Sequence, residues 1–331
     1  MSGKTEAIVP RAFIFRRLHS LLGLWLVIYL VEHLLVNSQA ALWIGDDGAG
    51  FVRLVNLIQG IPYLQVVEII LLGVPIAVHG VWGVKYLLTS KANSRSGDGS
   101  RPALPEYGRN RAYTWQRISS WVLLVGIILH VAQMRFWDEP IKVMRNNQRG
   151  YAVKLNFDEG LYTLAARLGV LLLNQQEIAV LQQQITKDKE ASFFDSGSSA
   201  SQSVPYDPQR DALKSSAMAD EEEARWILAL GKMRLKDTQV VAVAKSPGAA
   251  ILLTTRDTFK NPIMGIFYTV FVLAAGFHAF NGLWIFLNTW GAILSLRSQK
   301  SIVNVCWMAM AVLVFFGLAA IWGSYWINLR N

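Results

Sequence analysis

Five histidines, His19, His33, His79, His130 and His278, all fall in or at the edge of long apolar stretches. A polar ring in lipid is costly and normally faces a bundle interior or finds a partner. An imidazole placed there can pack, pass a proton, or bind a metal through one ring nitrogen. A lone membrane histidine is more often a packing or relay residue. Several at matched depths are what iron needs when two opposed imidazoles fill the axial positions of a haem. Cys306 is the only cysteine and lies in an apolar run, so a disulfide or a cysteine-ligated site within the chain is excluded.

Five apolar windows must position these rings: roughly Leu18–Trp43, Tyr63–Leu88, Trp115–Phe136, Ile263–Leu294 and Ile302–Ile327. Each reaches or exceeds the ~20 residues that cross a ~30 Å hydrocarbon core. Trp and Tyr gather near several of their ends, as interfacial belts require. Of the 331 residues, 53% are hydrophobic and 17% charged, where a soluble domain carries about 25% charged residues. The first window lacks the short core and cleavage site of a signal peptide and reads as a mature helix.

Charge gives the orientation. Lys4, Arg11, Arg16 and Arg17 precede helix one. Lys85, Lys91, Arg95, Arg101, Arg109, Arg111 and Arg117 flank the connection from helix two to helix three, and Arg297 and Lys300 follow helix four. Only Glu6, Asp98 and Glu106 oppose them, so the positive-inside rule puts the N-terminus in the cytoplasm and the C-terminus outside. These basic residues sit at helix ends without a stacking or groove-reading motif, which argues against a nucleic-acid partner despite a net charge of +9.

Depth then sorts the histidines. His33 lies 15 residues past Leu18 and His130 lies 15 past Trp115, so both stand ~22 Å from the cytoplasmic edge, near the outer face. Helices two and four run the other way. His79 is 16 residues past Tyr63 and His278 is 15 past Ile263, which puts both ~22–24 Å from the outer edge, near the inner face. The expectation is an all-α integral membrane protein whose five transmembrane helices form an antiparallel bundle around two stacked haems. His33 and His130 hold the outer haem, and His79 and His278 the inner one. Gly83, Gly126 and Gly282 each lie one turn from a ligand, where a glycine lets a macrocycle approach the backbone. The spacing of His19 to His33 also suits one helix ligating two haems, but no second helix repeats it, so His19 reads as interfacial or as a hydrogen-bonding residue near the inner propionates.

Residues 138–262 separate the first three helices (1–137) from the last two (263–331) and carry equal numbers of acidic and basic residues. On the outer side such a long insertion can translocate regardless of its charges. Leu161–Gln184 reads as helix, Phe194–Pro208 as a linker, Asp220–Met233 as a helix with an acidic first turn, and Val240–Thr255 as a strand or hairpin.

Several local sequences resemble one family, the single-chain, di-haem cytochrome b (b558-type) anchor of succinate dehydrogenase and fumarate reductase. They are Phe15–Gly23, Glu32–Asn37, His79–Gly83, Gln116-Arg117 ahead of His130, and Phe277–Trp284 continuing into Thr289-Trp290-Gly291 and Arg297-Ser298-Gln299. The resemblance covers all five helices. It implies the same two pairs of ligands to two b haems, in the cell's inner (cytoplasmic) membrane. It further implies a flavoprotein with FAD and an iron–sulfur subunit on the cytoplasmic side, electrons hopping ~15 Å between haems, and a quinone, menaquinone by expectation, reduced near the outer haem. The long insertion has no counterpart in the family's compact members. Where the family often has an acid before a Pro-containing turn ahead of helix two, this chain has Gln59.

Secondary candidates follow. Glu32 and Glu68 are ionisable groups inside spans, and Glu68, eleven residues before His79, falls near the outer haem's level; with Gln59 they are the quinone-site candidates. Arg16, Arg17, Ser20, Gln116 and Arg117 converge on the inner face, where Arg suits haem propionates; ordinary inside-positive flanking would also account for the arginines. The chain itself shows no nucleophile or acid–base triad. Two other readings stand beside this one: an anchor for another respiratory dehydrogenase, such as a formate- or hydrogen-oxidising enzyme, and a transporter with a histidine proton relay.

Overall fold

The computed structural model describes residues 10–42, 46–89, 104–145, 148–195, 221–228, 230–231 and 235–330. In chain order these form α1 (Arg11–Ser38), α2 (Ala49–Gln59), α3 (Leu64–Thr89), α4 (Gly108–Trp137), β1 (Ile141–Arg145), β2 (Gln148–Asn156), α5 (Glu159–Leu168), β3 (Leu171–Leu173), α6 (Gln175–Asp195), α7 (221–228), β4 (Gln239–Ala244), α8 (Pro247–Thr258), α9 (Pro262–Thr289) and α10 (Leu296–Ile327). The chain divides into two compact units, each described by itself. One comprises Met1–Leu42, Gly60–Ala132 and Pro262–Gly323, the other Trp43–Gln59, Gln133–Asn261 and Ser324–Asn331.

The first unit is all helix. Helices α1, α3, α4, α9 and α10 are each long and apolar enough to cross a membrane. Helix α1 starts and ends earlier than its hydropathy window: the turn from Arg11 is already helical, and the chain leaves the helix at Ser38. Helix α9 is central: 44% of its apolar window is buried, against 6% for α3. It packs on α1, α4 and α10 around Leu34, Ala279, Phe280, Cys306 and Leu313. The outer surface stays apolar at Val81, Ile128, Val270 and Phe315, as expected where lipid is the solvent and every backbone group is satisfied within the helices.

Two of these helices contain a π turn, Ile69–Gly73 in α3 and Ala319–Gly323 in α10, and a third, Gln133–Trp137, ends α4. The i→i+5 pattern rotates carbonyls out of the regular ladder. In α3, the Leu71 carbonyl accepts from the Trp25 indole N–H at 2.6 Å, which ties α3 to α1.

The second unit is a four-stranded antiparallel sheet in the order β1-β2-β4-β3, with Ile141 opposite Ala152, Val153 opposite Ala242, and Leu172 opposite Ala242. Side chains alternate along β4. Val240, Ala242 and Ala244 meet Leu161 and Leu164 of α5 and Ala249 and Leu253 of α8. Val241 and Val243 meet Ile178 of α6 and Trp226 and Ile227 of α7.

Local chemistry corrects two expectations in this unit. The helix expected over Leu161–Gln184 is broken. Asp158 caps α5 through the Leu161 N–H at 2.8 Å, and Gly169 ends it in the left-handed region at φ 63°. Leu171–Leu173 then pairs with β4, and Asn174 and Glu177 exchange side-chain-to-backbone hydrogen bonds of 2.8 Å that start α6. The strand or hairpin expected over Val240–Thr255 stops at Ala244, because Ser246 accepts from the Ala249 N–H and Pro247 opens α8. Residues 221–228 are helical, whereas residues 196–208 of the expected linker lie outside the described residues.

Candidate functional site

All five histidines belong to the helical unit, and the structure brings four of them together in two couples. The rings of His33 on α1 and His130 on α4 have centroids 5.8 Å apart at an interplanar angle of 81°. Those of His79 on α3 and His278 on α9 are 6.2 Å apart, also at 81°. A metal–imidazole bond measures about 2.0–2.1 Å, and the nitrogen lies about 1.1 Å from its ring centre, so two rings on opposite sides of one iron have centroids about 6.3 Å apart. Both couples sit close to that separation. Among the described residues no three His, Cys, Asp or Glu side chains gather into a cage that could hold a bare ion, so the two-imidazole geometry suits a metal already carried in a macrocycle.

The couples lie at two levels. On α1, Gly23 faces the His79 ring, and His33 comes ten residues later. On α4, Ser120 meets His278, and His130 comes ten residues later. On α9, Tyr268 meets His130, and His278 comes ten residues later. Each interval is about 15 Å of helix.

Every ring in the couples has its Nδ1 engaged. That of His33 meets the Tyr29 hydroxyl at 3.3 Å, and that of His130 meets the Tyr268 hydroxyl at 3.1 Å. His79 Nδ1 lies 3.0 Å from the His19 carbonyl, which can only accept, so this nitrogen is the donor. His278 Nδ1 lies 3.4 and 3.3 Å from the hydroxyls of Ser119 and Ser120. Both hydroxyls donate to the Gln116 carbonyl, at 3.0 and 2.7 Å, and so present lone pairs to the ring. With Nδ1–H donating, Nε2 carries the lone pair a metal needs. Gln116 also donates from Nε2 to the His278 carbonyl at 3.1 Å and accepts from Asn281 at 2.7 Å, fixing α4 against α9 beside the ring. Ser119, Ser120, Tyr29, Tyr268 and Asn281 escaped the sequence reading. Only the i, i+4 spacing of Tyr29 and His33 could have signalled one of them.

His19 stands beside the His79–His278 couple. Its ring stacks on His79, with centroids 4.0 Å apart and planes 9° apart, while its backbone carbonyl, not its imidazole, makes the hydrogen bond to that ring. Its own Nδ1 is buried without a hydrogen-bond partner. An orphaned buried nitrogen beside His79, when it carries a proton, is what a carboxylate of a bound macrocycle would satisfy. The ring-adjacent glycines divide. A Cβ on Gly126 would overlap the Phe271 ring, so this glycine lets α4 pack closely on α9. Gly83 is open apart from His19 at 3.8 Å, and Gly282 has only the Gln116 amide at 3.7 Å. Gly23 is the constrained position: a Cβ there would stand 3.0 Å from His79 Cε1.

The remaining candidates scatter. Arg17 donates to the Thr289 carbonyl and lies over the rings of Phe13 and Trp290 at 4.9 and 5.0 Å, while Ser20 accepts from the Trp290 indole at 2.9 Å. These contacts bind the start of α1 to the end of α9. Arg117 lies 4.8 Å over the Tyr113 ring, and Arg16 is exposed. Glu32 is exposed on the bundle surface and Glu68 is half-buried. Gln59 is the last residue of α2 and belongs to the other unit.

The chain is similar to the succinate dehydrogenase cytochrome b558 subunit of Bacillus subtilis (strain 168), at 29% identity over 164 residues, which span 49% of this chain and 71% of that protein. This relative bears out the resemblance to b558-type anchors read from the local motifs. No family model matches the chain, and no solved structure matches it.

Proposed function

We propose that the chain is the cytochrome b membrane anchor of a succinate:quinone oxidoreductase. The observation that carries this reading is the meeting of His33 with His130 and of His79 with His278, each at the separation of two axial rings, in a chain similar to such a subunit. His33 and His130 hold the outer b haem, and His79 and His278 the inner one. When bound, each haem supplies a one-electron iron couple between a donor on one side of the bilayer and an acceptor within it.

The protein's own part is positional. Ser119, Ser120 and the His19 carbonyl hold the inner rings with Nε2 presented. The basic N-terminal flank and the α3–α4 connection face the cytoplasm, where a flavoprotein and an iron–sulfur subunit dock. Glu68, half-buried on α3 eleven residues before His79, is the group that exchanges protons with the quinone. The test is purification of the full chain from its native membrane under mild detergent. We expect two b-type components in the redox difference spectrum, and co-purifying flavoprotein and iron–sulfur subunits identified by mass spectrometry. A haem-free preparation would refute the proposal, and two haems with a different dehydrogenase would refute its succinate assignment.

A further inference from the structure

The two couples are supported by different chemistry. At the inner couple, the acceptors for Nδ1–H are a backbone carbonyl and two hydroxyls whose protons are already committed to the Gln116 carbonyl. At the outer couple, both Nδ1 partners are phenol hydroxyls. Tyr29 lies one turn before His33 on the same helix, with its ring 5.5 Å away and tilted 30°. Tyr268 reaches from α9 to His130 on α4, with its ring 5.7 Å away at 81°, and is only 5% exposed. Phe267 and Phe271 meet the Tyr268 ring at 5.2 and 6.2 Å, so it cannot swing away without repacking.

We propose that Tyr29 and Tyr268 are positioning residues of the outer haem: their hydroxyls accept from Nδ1–H of His33 and His130, orient the two rings, and set that haem's potential independently of the inner one. An acceptor on Nδ1–H makes an imidazole more electron-rich, which favours the ferric iron it ligates. Removing the acceptor therefore favours the ferrous form and raises the potential. Removing it also frees the ring to rotate about its Nε2–iron axis, which alters the angle between the two axial planes. The inference rests on the two-haem reading above.

The variants are Tyr29→Phe and Tyr268→Phe, which keep the ring and its packing and delete only the hydroxyl. Redox titration and low-temperature electron paramagnetic resonance of the purified complex are compared with those of native protein and of Ser119→Ala/Ser120→Ala. We expect each tyrosine variant to raise the outer haem's potential and move its low-spin signal, leaving the inner haem unchanged. The serine variant should do the reverse. Selective loss of the outer haem would support the same role, since deleting such a partner costs about 10–100-fold in metal affinity. Unchanged outer potential and signal in both tyrosine variants would overturn the proposal, as would equal shifts in both haems. Native protein without two b-type components would instead refute the two-haem reading itself.

Discussion

The inner and outer histidine couples share a separation and a crossing angle yet differ in how their tautomers are enforced. At His79 and His278 the surroundings leave one option: a carbonyl and two proton-committed hydroxyls can only accept. At His33 and His130 each partner is a phenol, which can donate or accept. Presentation of Nε2 is thus built into the backbone and serines at one level and left to rotatable O–H groups at the other. A site that only relays electrons benefits from a fixed ligand field. Under the proposed function the outer couple lies beside the quinone, where proton movement must also be accommodated and a softer hydrogen-bond shell suits it.

The widest separation between the levels should come from removing a ligand. His278→Ala is expected to remove the inner haem alone, halving haem per polypeptide in a pyridine haemochrome assay; loss of both would mean the levels fold as one. Next comes Gly23→Leu, which fills the space 3.0 Å from His79 Cε1. It should strip the inner haem and spare the outer one, whereas Gly23→Ala only shifts the inner absorption band; a normal spectrum for Gly23→Leu would count against a haem seated at that face. Glu68→Gln is expected to slow quinone turnover at least about tenfold with both haems retained, while exposed Glu32→Gln stays near native, both read by quinone-linked dye reduction. Equal rates for the two variants would remove Glu68 from the outer site. The smallest effect on either couple is expected from Gly169→Val, which forces a β-branched residue to φ 63° at the end of α5. It should cost the sheet-containing unit about 1–2 kcal/mol, seen as earlier proteolysis of residues 138–262, with both redox potentials unmoved.

The helical scaffold and the pairing were legible because both follow from arithmetic. Apolar length marks a span, and a fixed rise per residue converts sequence position into depth, so four histidines sort by level before any contact is known. The supporting shell was not legible. Tyr268, Ser119 and Ser120 act across helices, and which side chains meet depends on the rotation of each helix about its axis, which residue counting leaves free. His19 shows a further limit. Its residue type drew attention to the imidazole, while its backbone oxygen makes the hydrogen bond. Arg17 and Ser20 carry the composition of a propionate clamp, and their contacts with Thr289 and Trp290 are likewise beyond residue counting. In the insertion, β-branched content pointed to a strand through Thr255, but two residues, Ser246 and Pro247, outweighed it by starting a helix.

The ten-residue interval shared by α1, α4 and α9 restricts how this bundle can change length. Ten residues carry each helix through nearly three turns, so the contact points at the two levels face directions about 80° apart on each cylinder. A single residue inserted between Gly23 and His33, between Ser120 and His130, or between Tyr268 and His278 would swing the far half of that helix by about 100°. It would aim the distant ring or phenol at lipid. Evolution and engineering alike can lengthen the connections or enlarge the sheet-bearing insertion freely, but between the two levels this protein has a fixed gauge.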